Sequence, residues 1–339
     1  MPHAAYHLDP SRGLDGLVAR DQEEPEPGPH DVVIRVRAGS LNRRDIMLME
    51  GSYPIPAAPG VIPLSDGAGE VVAVGAKVQR AAVGDRVTAT YFLGWVDGEP
   101  RLEWLREQHG ANHDGMLASF ARVHEDSVVH LPAHLSWAEA ATLTCAAVTA
   151  WSGLNGPRPV AAGETVLTVG TGTVALFGVQ LARDLGARVI AITSGEEKAA
   201  RLRALGAAEV VDRRAEPDWD KAVRELTAGQ GVDHVLEAVG PATLDKSLNS
   251  LAFGGHVAVC GAFPAGGVTL EDRLFVGGLF TIRRLVVGSR AAFEALSTSL
   301  ERHTTRPVID RVFGFDEARE AYRYFRDDNP FGKVVITLP

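Results

Sequence analysis

The residues best placed to do chemistry by their own spacing are Leu167-Thr168-Val169-Gly170-Thr171-Gly172-Thr173-Val174-Ala175. A short apolar run leads into the glycines and an amphipathic pattern leaves them, the context in which Gly-x-Gly-x-x-Ala becomes a phosphate cradle. Gly170 permits a tight turn, Gly172 lets a pyrophosphate approach the backbone, and Ala175 is small enough for a helix to pack on the strand. Thr173 and Val174 begin a helix whose free N–H groups and partial positive charge suit phosphate. A strand–helix turn that binds nothing has the same local sequence, but the strand–helix alternation that follows favours a dinucleotide.

The end of the next strand selects the cofactor. An NAD site usually places an acid there, about 20 residues past the glycines, to hold the ribose 2′-hydroxyl. Here the segment is Ile192-Thr193-Ser194-Gly195-Glu196-Glu197-Lys198, with no acid at the tip. Ser194 can donate to a 2′-phosphate, and Lys198 and Arg213 can neutralise it, so NADP is expected over NAD. Glu196 and Glu197 oppose this if either turns inward.

These residues need a frame. From Glu164 onward, short apolar runs (Val166–Val169, Val189–Thr193, Val210–Val211, Val235–Leu236, Val257–Cys260) alternate with helical segments, and a last strand is expected near Ile282–Val287. That rhythm calls for a parallel sheet with right-handed crossovers. Before it, residues 31–90 read as short strands broken by glycine and proline turns: Val32–Ala38, Gly67–Val74 and Arg86–Thr90. Residues 91–115 are irregular, aromatic and mixed in charge, so they read as a surface excursion. Ser136 with Glu139 makes a capping box, predicting a helix to near Trp151. Residues 289–339 read as a helix, a proline-containing turn, a helix over Asp316–Phe325 and a closing strand over Lys333–Leu338. The expected division is 1–146, 147–288 and a return to the first domain over 289–339.

The 339 residues suit two domains. A net charge of −9 argues against a nucleic-acid surface, and no run approaches the roughly 18 apolar residues of a membrane span. MPHAAYHLDP shows no signal-peptide pattern, and two cysteines, Cys145 and Cys260, build neither a disulfide framework nor a thiolate cluster. A cytoplasmic location is the simplest expectation, with a small-molecule substrate as partner. The last strand of the parallel sheet would leave an open edge in a monomer, so a homodimer is expected.

Several segments together resemble the medium-chain dehydrogenase/reductase superfamily over nearly the whole chain: Ser40-Leu41-Asn42-Arg43-Arg44-Asp45, Ser65-Asp66-Gly67-Ala68-Gly69-Glu70-Val71, Val83-Gly84-Asp85-Arg86-Val87, Ala140-Ala141-Thr142-Leu143-Thr144-Cys145, Thr149-Ala150-Trp151, the glycine loop, and Phe331-Gly332-Lys333-Val334-Val335. The resemblance implies an α/β protein, a GroES-like β-rich catalytic domain with a doubly wound Rossmann sheet. It is strongest toward bacterial alcohol dehydrogenase-like proteins, quinone oxidoreductases and enoyl reductases.

The departures from the family pattern bear on function. Zinc-dependent members hold their metal with Cys, His and Cys; the first position is Asn42, the His-Glu pair is Ser65-Asp66, and only the last keeps a cysteine, Cys145. Neither Asn nor Ser is a competitive zinc ligand, so no zinc is expected. The family's Ser/Thr and His proton relay is replaced by Arg44 and Met47, and the 91–115 excursion lacks the structural zinc cysteines. His109 and His113 have metal-like spacing on a segment that is poorly helical. Cys145 and Cys260 then read as small buried hydrophobes.

Without a Lewis acid, hydride delivery to a conjugated double bond or a quinone is the natural reaction. By resemblance to the Gly-x-Tyr-Pro segment of enoyl reductases, Tyr53 is the expected proton donor. The resemblance also implies Asn42 facing the nicotinamide, Arg43 reaching the pyrophosphate and Thr149 contacting the nicotinamide portion. Asp45 reads as structural, pairing with an arginine. Gly261, Ala262 and Phe263 follow a strand end suited to the carboxamide, and Phe331 and Lys333 are expected at the cofactor. Phe92, Trp95, Phe263 and Phe275 are possible walls of an apolar pocket. Arg290 either binds an acidic substrate group or braces the domain junction. Two rivals stay open: zinc-independent alcohol/carbonyl redox, and a dinucleotide-binding protein with lost or non-redox activity in biosynthesis.

Overall fold

The computed structural model describes residues 3–261 and 278–339, and the chain divides into two compact units, Met1–Val148 with Gly288–Pro339, and Thr149–Val287. Ala262, Phe263 and Phe275 lie outside the described residues.

The first unit is built on a mostly antiparallel sheet. Its strands are β1 (Ala4–Leu8) and β2 (Leu17–Asp21), which form a separate hairpin, then β3 (Asp31–Ser40), β4 (Asp66–Val74), β5 (Arg86–Ala89), β6 (Phe120–His124) and β7 (Val128–His130). The second unit supplies β8 (Thr165–Val169), β9 (Arg188–Thr193), β10 (Glu209–Asp212), β11 (Val232–Glu237), β12 (Leu251–Val259) and β13 (Phe280–Arg284). The chain then returns to the first unit for β14 (Ile309–Gly314) and β15 (Lys333–Thr337).

In the first unit, β3 is the organising strand. Its alternate residues Val32, Ile34 and Val36 are buried in one apolar core with Val71, Val87, Val123, Val334 and Ile336. At its end, Ser40 pairs with Asp66 on β4 and with Val335 on β15. That register brings Asn42, two residues after β3, Asp66, the first residue of β4, and Lys333, the first residue of β15, to one place. The helix Arg43–Met49 begins directly afterwards. The Asp45 carboxylate accepts the Asn42 backbone N–H at 2.7 Å, occupying a donor otherwise unpaired at a helix start. Gly51, at φ +68°, ends the turn and the chain folds back, with the N–H groups of Ser52 and Tyr53 both on the Met47 carbonyl.

The second unit is a six-stranded parallel sheet in the order β10-β9-β8-β11-β12-β13. Leu167, Val169, Ile190, Ile192, Val235 and Val257 pack inside it, so its strands read as continuous apolar runs. The winding reverses between β8 and β11, the point where open α/β sheets bind ligands.

Three expectations require correction. The helix from Ser136 is broken into Trp137–Ala140, a π turn over Leu143–Ala147 and Val148–Leu154. The Ser136–Glu139 capping box is present, but Thr142 Oγ1 takes the Glu139 carbonyl at 2.7 Å and competes with the helical ladder. The tail contains β14, which was read as a turn. The sheet's last strand ends at Arg284, before Val287 turns to φ +43°. Among the described residues no helix is long and apolar enough to cross a membrane.

Candidate active site

The three strand ends that meet beside Ser40 bring together a buried polar group in the first unit. Lys333 and Asp66 are fully enclosed and form an ion pair at 3.1 Å. The Lys333 ammonium also donates to Asn42 Oδ1 at 2.8 Å, and Ser65 Oγ donates to the other Asp66 oxygen at 2.9 Å. An ammonium only donates, so the Asn42 atom facing it must be the carbonyl oxygen. The Asn42 amide nitrogen is thereby directed elsewhere, and it is buried without a partner among the described residues. Lys333 was expected at the cofactor; its ammonium is instead committed to Asp66 and Asn42. Among the described residues Asp45 makes no direct ion pair with an arginine, though the Arg44 charge lies close enough to favour its carboxylate: it holds its own helix start, and burial pushes its carboxyl up to about 6. Burial pushes the Cys145 thiol up to about 12, so it is a protonated thiol at neutral pH.

A second group adjoins the same helix. The Tyr53 hydroxyl lies 2.7 Å from that of Tyr91 and donates to Gln108 Oε1 at 3.1 Å. The Arg44 guanidinium stacks on both rings, 4.3 Å from the centroid of Tyr91 and 5.3 Å from that of Tyr53. Its nitrogens donate to the His109 carbonyl at 2.7 Å and to Gln108 Oε1 at 3.1 Å. The His109 ring turns Nδ1 to the Asp114 carbonyl at 3.0 Å, so Nδ1 bears the hydrogen. Burial draws its pKa down to about 4 and keeps it neutral. His113 faces Glu107, and among the described residues no group of three His, Cys, Asp or Glu side chains could hold a metal.

The 91–115 segment is therefore only partly a surface excursion. Its middle is exposed and carries a short helix, Leu102–Arg106, whereas Tyr91, Phe92, Trp95, Gln108, His109 and Ala111 are buried. Tyr91 and Gln108 are the functional candidates that sequence reasoning missed. The only signal for them was the aromatic run Tyr91-Phe92-Leu93-Gly94-Trp95, which is too rich in apolar surface for an ordinary loop. Arg290, left open above, binds the Asp126 carbonyl at 2.9 Å and its carboxylate at 3.0 Å within the first unit. Arg43 is exposed, and the Phe331 ring is buried with its N–H on Asp310.

In the second unit the glycine loop joins β8 to the helix Thr173–Asp184. Gly170 sits at φ +109°, which disfavours any side chain. A Cβ on Gly172 would stand in open space, leaving the backbone accessible to a phosphate, while Ala175 is fully buried where the helix meets the sheet. Val174 is partly buried and Thr149 is buried at the start of its helix. Ser194 lies on the turn after β9, followed by Gly195 at φ +137° and by Lys198 on the helix Glu196–Leu205. The Arg213 N–H donates to the Thr193 carbonyl at 3.0 Å, which seats Arg213 beside the β9 tip. Glu196, which could have repelled a phosphate, is paired with Arg203 at 2.9 Å.

One further carboxylate escaped the sequence reading. Glu237, buried at the end of β11, accepts the N–H groups of Val239 at 2.8 Å and Gly240 at 3.0 Å and the Ser247 hydroxyl. Its backbone carbonyl takes the N–H groups of Cys260 and Gly261, where a Cβ on Gly261 would strike Val239 at 2.2 Å. Glu237 thus ties the loop after β11 to the end of β12. Cys260 is partly buried, its thiol pushed up to about 12.

Comparison with known proteins matches two family models: "Alcohol dehydrogenase GroES-like domain" over residues 28–133 and "Zinc-binding dehydrogenase" over 173–302. A Schizosaccharomyces pombe zinc-type alcohol dehydrogenase-like protein is 35% identical, over 97% of each chain. A Pseudomonas aeruginosa quinone oxidoreductase is 32% identical, over 96% of each chain. The crystal structure of an NAD-dependent alcohol dehydrogenase superposes with a TM-score of 0.88 at 30% identity, covering 99% of this chain and 100% of that one.

Proposed function

Because the chain belongs to the medium-chain dehydrogenase/reductase superfamily, and is a dinucleotide-dependent oxidoreductase of that type, we propose that it uses NADPH, without zinc, to reduce an activated C=C bond or a quinone. The observation that carries this reading is the buried Lys333 ammonium on Asn42 and Asp66. The positions that hold zinc in the family's metal-dependent members present here an amide, a hydroxyl with a carboxylate already ion-paired, and a single thiol, short of the three competent ligands a catalytic zinc takes. A dication there would face the repulsion of the Lys333 ammonium, while the Asp66 carboxylate is already committed to that ammonium. The residues do not fit the metal. Elemental analysis after dialysis against a mild chelator should find far less than one zinc per chain, with activity retained; one tightly held zinc would refute the assignment.

NADPH, when bound, supplies the hydride. The protein's part is to polarise the acceptor and return a proton. As hydride reaches the β-carbon of an enone, charge moves onto the carbonyl oxygen, to which the Asn42 amide N–H can donate. An unpartnered buried donor costs roughly 1–3 kcal/mol, a cost relieved when a substrate oxygen arrives. Tyr53 then provides the proton. A quinone needs less help, because its reduced oxygens can collect protons from water.

The alcohol/carbonyl alternative draws on the alcohol dehydrogenase names that most of the similar proteins carry, and one assay separates the readings. Steady-state NADPH oxidation is followed with enones, quinones and aldehydes, and NADP⁺ reduction with alcohols. Turnover confined to alcohols and aldehydes overturns the proposal.

Cofactor preference follows from Ser194, Lys198 and Arg213 around the β9 tip. NADPH should bind tighter than NADH, and Lys198→Ala with Arg213→Ala should narrow the gap about tenfold or more, as expected for hydrogen bonds to a charged group. Equal affinities of the unmodified protein in a fluorescence titration would contradict the preference.

The edge strand β13 supports a homodimer. Ile282 is 43% exposed on it, and Leu279 beside it is 62% exposed. A two-fold partner could extend the sheet with its own copy. Light scattering should give twice the chain mass of 36.1 kDa, and Ile282→Glu should shift the protein toward monomer; a monomer at micromolar concentration would reject the idea.

A further inference from the structure

We infer that Tyr91, Gln108 and Arg44 form a hydrogen-bond relay that prepares Tyr53 to give up its proton, with Tyr91 stabilising the oxygen left behind. The inference rests on the proton-donor role proposed for Tyr53 and assigns roles to three residues around it.

The direction of each bond follows from donor and acceptor identity. Gln108 Nε2 donates to the Leu105 carbonyl at 2.8 Å, so the amide atom facing the network is Oε1. That oxygen receives Arg44 Nη2 and the Tyr53 hydroxyl, each at 3.1 Å. Tyrosine has one O–H, and in this state Tyr53 spends it on Gln108. The 2.7 Å contact between the hydroxyls must therefore run from Tyr91 to Tyr53. Tyr91 is buried and Tyr53 only half-buried, so Tyr53 is the end of the chain open to a substrate. The Arg44 cation sits over both rings and donates no bond to a carboxylate.

In the step itself, hydride from the cofactor forms the C–H bond at the β-carbon, and the C=C pair moves to make an enolate. The Tyr53 O–H swings from Gln108 to the α-carbon. The O–H bond breaks, the α C–H bond forms, and the electron pair stays on the Tyr53 oxygen. Tyr91 is already donating to that oxygen and Arg44 is already beside it, so the stabilising dipoles need no rearrangement. Water then restores the Tyr53 proton, and the sum is enone, NADPH and one proton to ketone and NADP⁺.

The test uses the full-length protein with NADPH and cyclohexenone. Tyr91→Phe should lower kcat about 10–100-fold, the range for a lost hydrogen bond to a charged group, with KM for NADPH unchanged. The solvent deuterium isotope effect on kcat should rise, because proton transfer becomes slower; a residue that merely packs would not move it. If Tyr91→Phe loses its circular dichroism spectrum, Gln108→Glu decides. Its carboxylate keeps the Arg44 contact and grips the Tyr53 O–H harder, so kcat should fall with the same larger isotope effect. Unchanged kcat and isotope effect in the folded variants, while Tyr53→Phe is crippled, overturns the relay and leaves the function standing. If Tyr53→Phe is also silent, or the unmodified protein reduces no enone, the proton-donor reading falls and the relay falls with it.

Discussion

Asn42→Asp is expected to fold normally and to lose about 10²–10³-fold in turnover of an enone, the usual cost of removing one donor to a developing oxyanion. The substitution is nearly isosteric and keeps an oxygen facing Lys333, so the buried ammonium retains both of its acceptors. What changes is the other side of the group. An N–H pair that now lacks a partner becomes an oxygen, repelling the charge that forms on the substrate. Assay at about pH 8 keeps the new carboxylate ionised beside the ammonium. Cofactor affinity should be unaffected, because the glycine loop and the β9 tip belong to other elements. A variant within about threefold of the unmodified protein would show that the amide is not the donor. Substitution at Lys333 is a poorer probe. Removing one partner of a buried ion pair costs about 3–5 kcal/mol and risks the fold itself.

Tyr53→Phe should lower the rate about 10²–10⁴-fold with an enone, the range for loss of a general acid. The ring still packs against the core of the first unit, so stability and NADPH affinity should barely move. Residual turnover should protonate from solvent, and the product's configuration at the α-carbon should become mixed or inverted. A quinone should show a much smaller effect. Unchanged rate and stereochemistry with an enone would reduce Tyr53 to a turn residue.

The parallel sheet was legible in the sequence because buried parallel strands are continuous apolar runs, and Val166–Val169, Val189–Thr193 and Val257–Cys260 are plainly such runs. The glycine loop was legible because its constraint is local: Gly170 needs its backbone conformation whatever surrounds it. Strand β14 was not. It lies at a sheet edge, and of Ile309–Gly314 only Phe313 is buried, so it shows no alternating pattern; pairing with β15 makes it a strand. The break after Ala140 was hidden for a similar reason, since Thr142 resembles any helical residue until its hydroxyl is seen on the Glu139 carbonyl.

The site divides in the same way. Asn42, Ser65 and Cys145 could be singled out as replaced or surviving ligands, because position along the chain was enough. The role of Lys333 depends on where β15 lies against β3, a relation between residues about 290 apart that no local pattern records. Tyr91 and Gln108 were lost because their segment is irregular. The chain there is positioned by Arg44, whose long side chain bridges the helix after β3 to the excursion. A buried arginine held by two rings, a carbonyl and an amide reads as an ordinary surface cation in sequence.

The most direct test of zinc-free reduction of an activated double bond is the fate of a labelled hydride. Chelator-treated protein is given NADPH deuterated at the transferring position together with cyclohexenone, and the product is examined by NMR. The account predicts a saturated ketone with deuterium on the β-carbon and the carbonyl intact. Deuterium on the carbinol carbon of an allylic alcohol, or transfer that appears only when zinc is restored, would contradict it.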